Sequence, residues 1–161
     1  VKAGAERVCI DAALHADLRS IRAMAQVLGA QALLAALPLH NDRGQLLWHD
    51  YRTGQSAPLP QDWAPLFADS VSEALVIDWR QEGRRNAFDE SLVDAFPYEK
   101  VPLIAFGGIS EPAQLTSLLA RPRVAAVAIG NFLSYREHAV QDLRKRLVGA
   151  ELRPPIYADD R

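Results

Sequence analysis

Val101-Pro102-Leu103-Ile104-Ala105-Phe106-Gly107-Gly108 is a strand-length apolar run that stops on two glycines. Nothing in it alternates polar with apolar, so it reads as a strand covered on both faces, the habit of a parallel sheet flanked by helices. Glycine at the carboxyl end lets the backbone turn and lie close to whatever sits above the sheet. Ser110 then stands as a helix N-cap, Pro112 falls in the first turn, and the helix runs to about Leu119.

The same unit repeats in both directions. Downstream, a strand over Val124–Ile129 ends at Gly130-Asn131, and a closing helix spans roughly Arg136–Val148. Upstream, Glu73–Asp78 leaves apolar territory at Asp78, enters the polar loop Arg80–Asn86, and is followed by a helix around Glu90–Phe96. Before it, Ala32–Leu39 is almost uninterruptedly apolar, as expected of a buried strand. Asn41-Asp42-Arg43-Gly44 supplies turn chemistry, and Leu46–Tyr51 returns as a short strand, so a hairpin decorates this unit. Beyond Pro58–Pro60 a helix near Gln61–Asp69 presents Trp63, Leu66 and Phe67, with Trp63 in the core. The first unit is a strand over Arg7–Ile10 and a helix from about Asp17 to Leu28, with Leu18, Ile21, Arg22, Ala25 and Leu28 on one face and Gly29 as its stop. Alternating strands and helices imply parallel strands with crossover helices, in a barrel or an open doubly wound sheet. No G-x-G-x-x-G follows any strand, which argues against a dinucleotide site.

Composition narrows the function classes. The 161 residues, 49% hydrophobic and 24% charged, suit one globular domain or part of one. Net charge is -2 and the basic cluster Arg144-Lys145-Arg146 is short, so nucleic acid is not expected as a partner. No apolar run reaches the roughly 18 residues of a membrane helix, so no membrane partner is expected. Cys9 is the single cysteine, read as a small core residue, and a reducing, cytoplasmic location is expected. His15, His40, His49 and His138 lack metal-ligand spacing, and no nucleophile-elbow motif is present; neither a metal nor another cofactor is expected.

Four stretches carry a resemblance. Gly4-Ala5-Glu6-Arg7-Val8-Cys9-Ile10-Asp11-Ala12-Ala13 resembles the strand-four motif G-A-D-K-V-S-I-N-T-A of the cyclase subunit of imidazole glycerol phosphate synthase. Leu28-Gly29-Ala30-Gln31 is similar to that family's F-G-S-Q before strand five, and Pro102 to Gly108 to its P-V-I-A-S-G-G at strand seven. Glu73 to Asp89 aligns without a gap to E-I-L-L-T-S-I-D-R-D-G-T-K-S-G-Y-D, with Glu73, Leu75, Gly83 and Asp89 identical. The resemblance implies the C-terminal half, strands four to eight, of a (β/α)8 TIM barrel of the ribulose-phosphate-binding type. Residues 1–150 then form the partial barrel and 151–161 a tail broken by Pro154-Pro155. Sequence is expected to be missing upstream of Val1, including strands one to three and the family's first catalytic aspartate. A half-barrel would leave two open sheet edges and an apolar inner face, so self-association or membership of a longer chain is expected.

The resemblance also implies a class I glutamine amidotransferase subunit that delivers ammonia at the N-terminal end of the barrel. A divergent branch occurs in surface-polysaccharide gene clusters, where the pair is associated with amidation of a sugar. By this register Gly107, Gly108, Gly130 and Asn131 mark a phosphate site at strands seven and eight, or merely turn the chain. The Asn-Thr pair of the family's other phosphate loop reads Asp11-Ala12 here, and a carboxylate repels a second phosphate; Asp11 either orients a sugar hydroxyl or caps a helix. The second catalytic aspartate aligns with Pro38, which has no acid function.

On strand six, Glu82 stands where the family has an active-site aspartate and Asp78 where it has a serine. Either is a candidate catalytic base, with a solvated loop carboxylate as the alternative. Arg80 is a candidate substrate-binding residue that, with Arg84 and Arg85, would hold an acidic sugar or neutralise the pair. Arg7 and Glu73 match the lysine and glutamate of the charged ring at the ammonia entrance, or form a structural ion pair. The expected function is a divergent cyclase-type subunit acting on a sugar-phosphate or nucleotide-sugar substrate. The alternatives are an ordinary histidine-pathway cyclase and a non-catalytic barrel that activates an amidotransferase.

Overall fold

The computed structural model describes residues 4–130, 139–147, 149, 150 and 152. Strand β1 (Val8–Ile10) leads into the short helix α1 (Ala12–Ala16) and then α2 (Leu18–Leu28). Asp17 caps α2 by accepting from the Arg19 backbone N–H at 2.9 Å, and Gly29, at φ 84°, ends it with its N–H on the Ala25 carbonyl at 2.8 Å. That conformation is one only glycine adopts without strain. Strand β2 (Leu33–Asp42) turns through Arg43 and Gly44 into β3 (Gln45–Asp50) and β4 (Gln55–Pro58). Helix α3 (Ala64–Asp69), β5 (Glu73–Asp78), α4 (Ser91–Asp94), β6 (Leu103–Phe106), α5 (Pro112–Leu119), β7 (Val124–Val127) and α6 (Ala139–Arg146) follow.

The sheet order is β4-β3-β2-β5-β6-β7, with β1 also on β2. Strands β1, β2, β5, β6 and β7 pair in parallel, while β3 and β4 form an antiparallel extension beyond β1 on the same edge of β2. This is the parallel succession of a (β/α)8 barrel, left open among the described residues. All five parallel strands point their carboxyl ends the same way, so the loops after β1, β5, β6 and β7 gather at one end.

Side-chain alternation separates the two faces. Along β5, Ala74, Val76 and Asp78 are buried, and the first two join one core with Ile21 of α2, Leu66 of α3, Leu92 of α4 and Leu118 of α5. On the opposite face Leu75, Ile77, Ile104 and Phe106 are only half-buried. Trp63 lies in the core at 3% exposure, as its packing face implies.

Several expectations need correction. Cys9 is exposed rather than core, because β1 is an edge strand with only three paired residues. Ser110 does not cap α5; Glu111 holds the cap position, and the Ser110 hydroxyl instead accepts from the Asn86 N–H at 3.0 Å. The helix after Glu90 is a single turn, α1 is the helix at whose cap position Asp11 stands, and β4 was not anticipated. The start of the closing helix and nearly all of the tail lie outside the described residues.

Candidate functional site

The loops after β5, β6 and β7 enclose a cleft of about 170 Å³ lined by Glu82, Gly83, Arg84, Arg85, Phe106, Gly107, Gly108, Ile109, Ser110, Ala128 and Gly130. The β5 loop is fixed from within and from its neighbour. Asp78, 2% exposed, accepts the Asp89 backbone N–H at 2.9 Å. Asn86 donates to Ser110, and the Ala87 N–H reaches the Gly108 carbonyl at 2.8 Å.

The glycines are what let these loops meet. Gly107 has φ 103°, and a Cβ there would stand 2.6 Å from the Asp78 carbonyl oxygen. Gly108 has φ 73°, and its Cβ would lie 2.9 Å from the Gln81 carbonyl oxygen. A Cβ on Gly130 would press on the Phe106 ring at 3.1 Å. The turning role is therefore real, and it leaves bare backbone in the wall of a cleft that Arg84 and Arg85 also line.

The structure brings together Glu82, Arg84, Arg85, Gly107, Gly108 and Gly130 from the expected residues, and adds Gly83, Ile109 and Ser110 to the wall. Asn131 lies outside the described residues. Asp78 does not line the cleft; its carboxylate organises the loop, and burial raises its pKa above the ordinary value while the Asp89 N–H works against that rise. Burial likewise raises Glu82, which does face the cleft. Arg80 sits 5.5 Å over the Trp79 ring instead of in the cleft wall. Asp11 occupies the cap position of α1, yet its side chain makes no capping hydrogen bond. At the opposite end, Arg7 pairs with Glu73 at 2.8 Å and also donates to the Ser72 hydroxyl.

Pro38 is fully buried beside Ile77 in the β2–β5 register. Around the same end of β2 lies a group of rings that the sequence did not reveal as one. Trp79 donates its indole N–H to His40 Nδ1 at 3.0 Å and stacks on His49 at 3.9 Å, with Tyr51 edge-on to both. A second stack pairs His15 with Trp48 at 3.6 Å, and His15 lies 3.7 Å from Asp50. The Arg52 guanidinium holds Asp50 down to about 2. The signal available was alternation along β3, which sends Trp48 and Asp50 to one face and His49 to the other, with Tyr51 just beyond the strand's end.

Comparisons with known proteins match this architecture. Over 160 residues the chain is 25% identical to the imidazole glycerol phosphate synthase subunit HisF of Leuconostoc mesenteroides, covering 95% of this chain and 63% of that protein. It is 29% identical over 140 residues to the putative imidazole glycerol phosphate synthase subunit hisF2 of Pseudomonas aeruginosa, covering 84% and 56%. With the HisF subunit of Lacticaseibacillus paracasei it shares 27% over 157 residues, covering 94% and 62%. The chain thus spans 56–63% of the length of these relatives. Residues 1–139 match the profile of one family, and the chain belongs to it: the histidine biosynthesis protein family.

Proposed function

We propose that this chain is the anion-binding half of a remodelled cyclase-type subunit in an ammonia-using synthase, acting on a phosphorylated or nucleotide-linked sugar. The observation that carries the reading is the cleft in which Arg84, Arg85 and the backbone around Gly107, Gly108 and Gly130 meet beside Glu82. Guanidinium groups and open backbone N–H groups suit phosphate oxygens, and strand carboxyl ends are where such barrels hold them. Glu82 is the catalytic carboxylate in this scheme, since its raised pKa brings it nearer the range useful for proton transfer. Asp78 serves as a positioning residue for the loop, and Arg80 and Asp11 approach the sugar from beyond the cleft.

Two features separate this chemistry from that of an ordinary cyclase. A buried proline at position 38 can neither give nor take a proton, and Asp11 places a carboxylate where a second phosphate would bring like charge. The ligand then carries its phosphate at one end only. The Arg7–Glu73 pair at the far end is consistent with a retained ammonia entrance and a class I glutamine amidotransferase partner, as in the sugar amidation of surface polysaccharides. A second reading, a barrel that only activates its amidotransferase, is favoured by the burial of Pro38. The test is turnover of the histidine-pathway ribonucleotide by the full-length protein with ammonium salts. No turnover is expected, and a clear rate would return the protein to ordinary cyclase chemistry. Stimulated glutaminase activity in a partner without sugar-phosphate binding would favour the second reading.

A further inference from the structure

We infer that Phe106 decides which anions the cleft accepts, its ring forming the apolar wall on which the carbon skeleton of a sugar phosphate rests. This deepens the proposed function and rests on it. Phe106 ends β6 and lines the cleft together with Glu82, Arg84, Arg85 and the glycine backbone. Burial alternates along β6: Leu103 and Ala105 join the core, while Ile104 and Phe106 turn to the opposite face, where Phe106 stays half-buried. Ile109, the other large apolar side chain of the lining, is only 5% exposed, so Phe106 is the one with surface to offer. The ring is also held in place. Its edge reaches across to Gly130, where a Cβ would stand 3.1 Å from it. The Ala128 N–H ties the two strand ends together by donating to the Ala105 carbonyl at 2.8 Å. A ring so placed loses little freedom when a ligand arrives.

The chemistry of that wall selects the ligand. An aromatic face carries the negative side of a quadrupole and offers no hydrogen bond, so a phosphate oxygen set against it gives up water and gains nothing. Carbon-bound hydrogens are what it favours. A cleft lined by Arg84, Arg85 and bare backbone as well as by a phenyl ring therefore fits a phosphate joined directly to carbon. The Glu82 carboxylate, in the same lining, accepts from hydroxyls on that carbon skeleton. Size agrees with this. The cleft, at about 170 Å³, falls short of the roughly 300–1,000 Å³ that encloses a whole drug-sized ligand, so it takes the phosphate and the first carbons attached to it. Of the two ligand classes proposed above, the sugar phosphate fits. A nucleotide-linked sugar would set a second phosphate, rather than carbon, in the space that Phe106 walls.

The experiment is calorimetric titration of the full-length protein with inorganic phosphate, pyrophosphate and glucose 6-phosphate, for wild type, Phe106→Ala, Phe106→Leu and Phe106→Tyr. Wild type is expected to bind glucose 6-phosphate about tenfold more tightly than inorganic phosphate, and more tightly than pyrophosphate. Phe106→Ala should weaken glucose 6-phosphate about tenfold and inorganic phosphate less than about threefold. Phe106→Leu keeps apolar packing at Gly130 without a flat ring and should lose preference in the same direction, which preserves the test if the alanine protein unfolds. Phe106→Tyr keeps the ring and should keep the preference. Unchanged glucose 6-phosphate affinity in the alanine and leucine variants, or equal losses for glucose 6-phosphate and inorganic phosphate, overturns the inference. So does a wild-type preference for pyrophosphate, which would make the cleft a diphosphate site. If inorganic phosphate binds and glucose 6-phosphate binds no better, the role of Phe106 alone fails; if no phosphate compound binds, the proposed function fails with it.

Discussion

The indole N–H of Trp79 donates to Nδ1 of His40 across 3.0 Å, which joins the end of β5 to the end of β2 and leaves the His40 proton on Nε2. That bond requires a neutral imidazole. Burial, with Arg80 adding to it, holds the His40 pKa below its ordinary 6.5, and burial does the same for His15. As pH falls below 6.5, the unfolded chain takes up protons that the folded imidazoles refuse, so stability from this source declines towards the folded pKa. Asp78 and Glu82, both raised, act with the opposite sign and gain stability as pH falls. Comparison with His40→Gln isolates the imidazole, and its urea midpoint should fall less between pH 7 and about 5.5. Equal declines in the two proteins would show that His40 is not held neutral.

Asp78 and Glu82 should separate cleanly. Asp78→Ala strips the buried partner from the Asp89 N–H and should cost about 1–3 kcal/mol in urea unfolding. Glu82→Gln is exposed and should change stability by less than about 0.5 kcal/mol, while abolishing turnover of the true substrate. A stable Asp78→Ala, or a fully active Glu82→Gln, would reverse the assignment.

Gly107→Ala should be the more damaging of the two glycine substitutions. It forces a side chain into φ 103° and against the Asp78 carbonyl oxygen at 2.6 Å, whereas Gly108→Ala meets Gln81 at 2.9 Å. Backbone strain alone is worth about 1–3 kcal/mol, so thermal and urea midpoints should drop visibly in both and further in Gly107→Ala. Wild-type midpoints would mean that the loops do not approach as closely as described.

The Arg7–Glu73 pair is partly exposed, with side-chain exposures of 39% and 21%, and such pairs contribute about 0–1 kcal/mol. Arg7→Ala should therefore barely shift the urea midpoint. As an ammonia entrance it should lower glutamine-dependent turnover while sparing turnover with ammonium salts. Equal loss of both activities would leave only the ion pair.

The sequence made some of this plain and hid the rest for physical reasons. The bounds of β5 follow from an apolar run that ends on Asp78, and α2 from Asp17 and Gly29, because local chemistry alone sets them. Strand β4 is wholly exposed, so Gln55–Pro58 carries no apolar pattern and its pairing shows only in the backbone. Ser110 sits two residues before Pro112, where a cap belongs, but tertiary contact with Asn86 takes its hydroxyl. The glycines at the ends of β6 and β7 were legible as places where the chain turns, whereas their meeting with Arg84 and Arg85 in one cleft shows only once the β5 loop has folded over β6. The ring cluster needed the hairpin register to bring residues 40, 49, 51 and 79 together.

The most direct measurement is titration of the full-length protein with inorganic phosphate, beside the Arg84→Ala/Arg85→Ala double variant. Saturable binding at one site per chain is expected, weakened by about tenfold or more in the double variant, which loses charge-assisted hydrogen bonds to the anion. Absence of saturable binding, or an affinity that the double variant leaves unchanged, would contradict an anion site at the carboxyl ends of β5, β6 and β7.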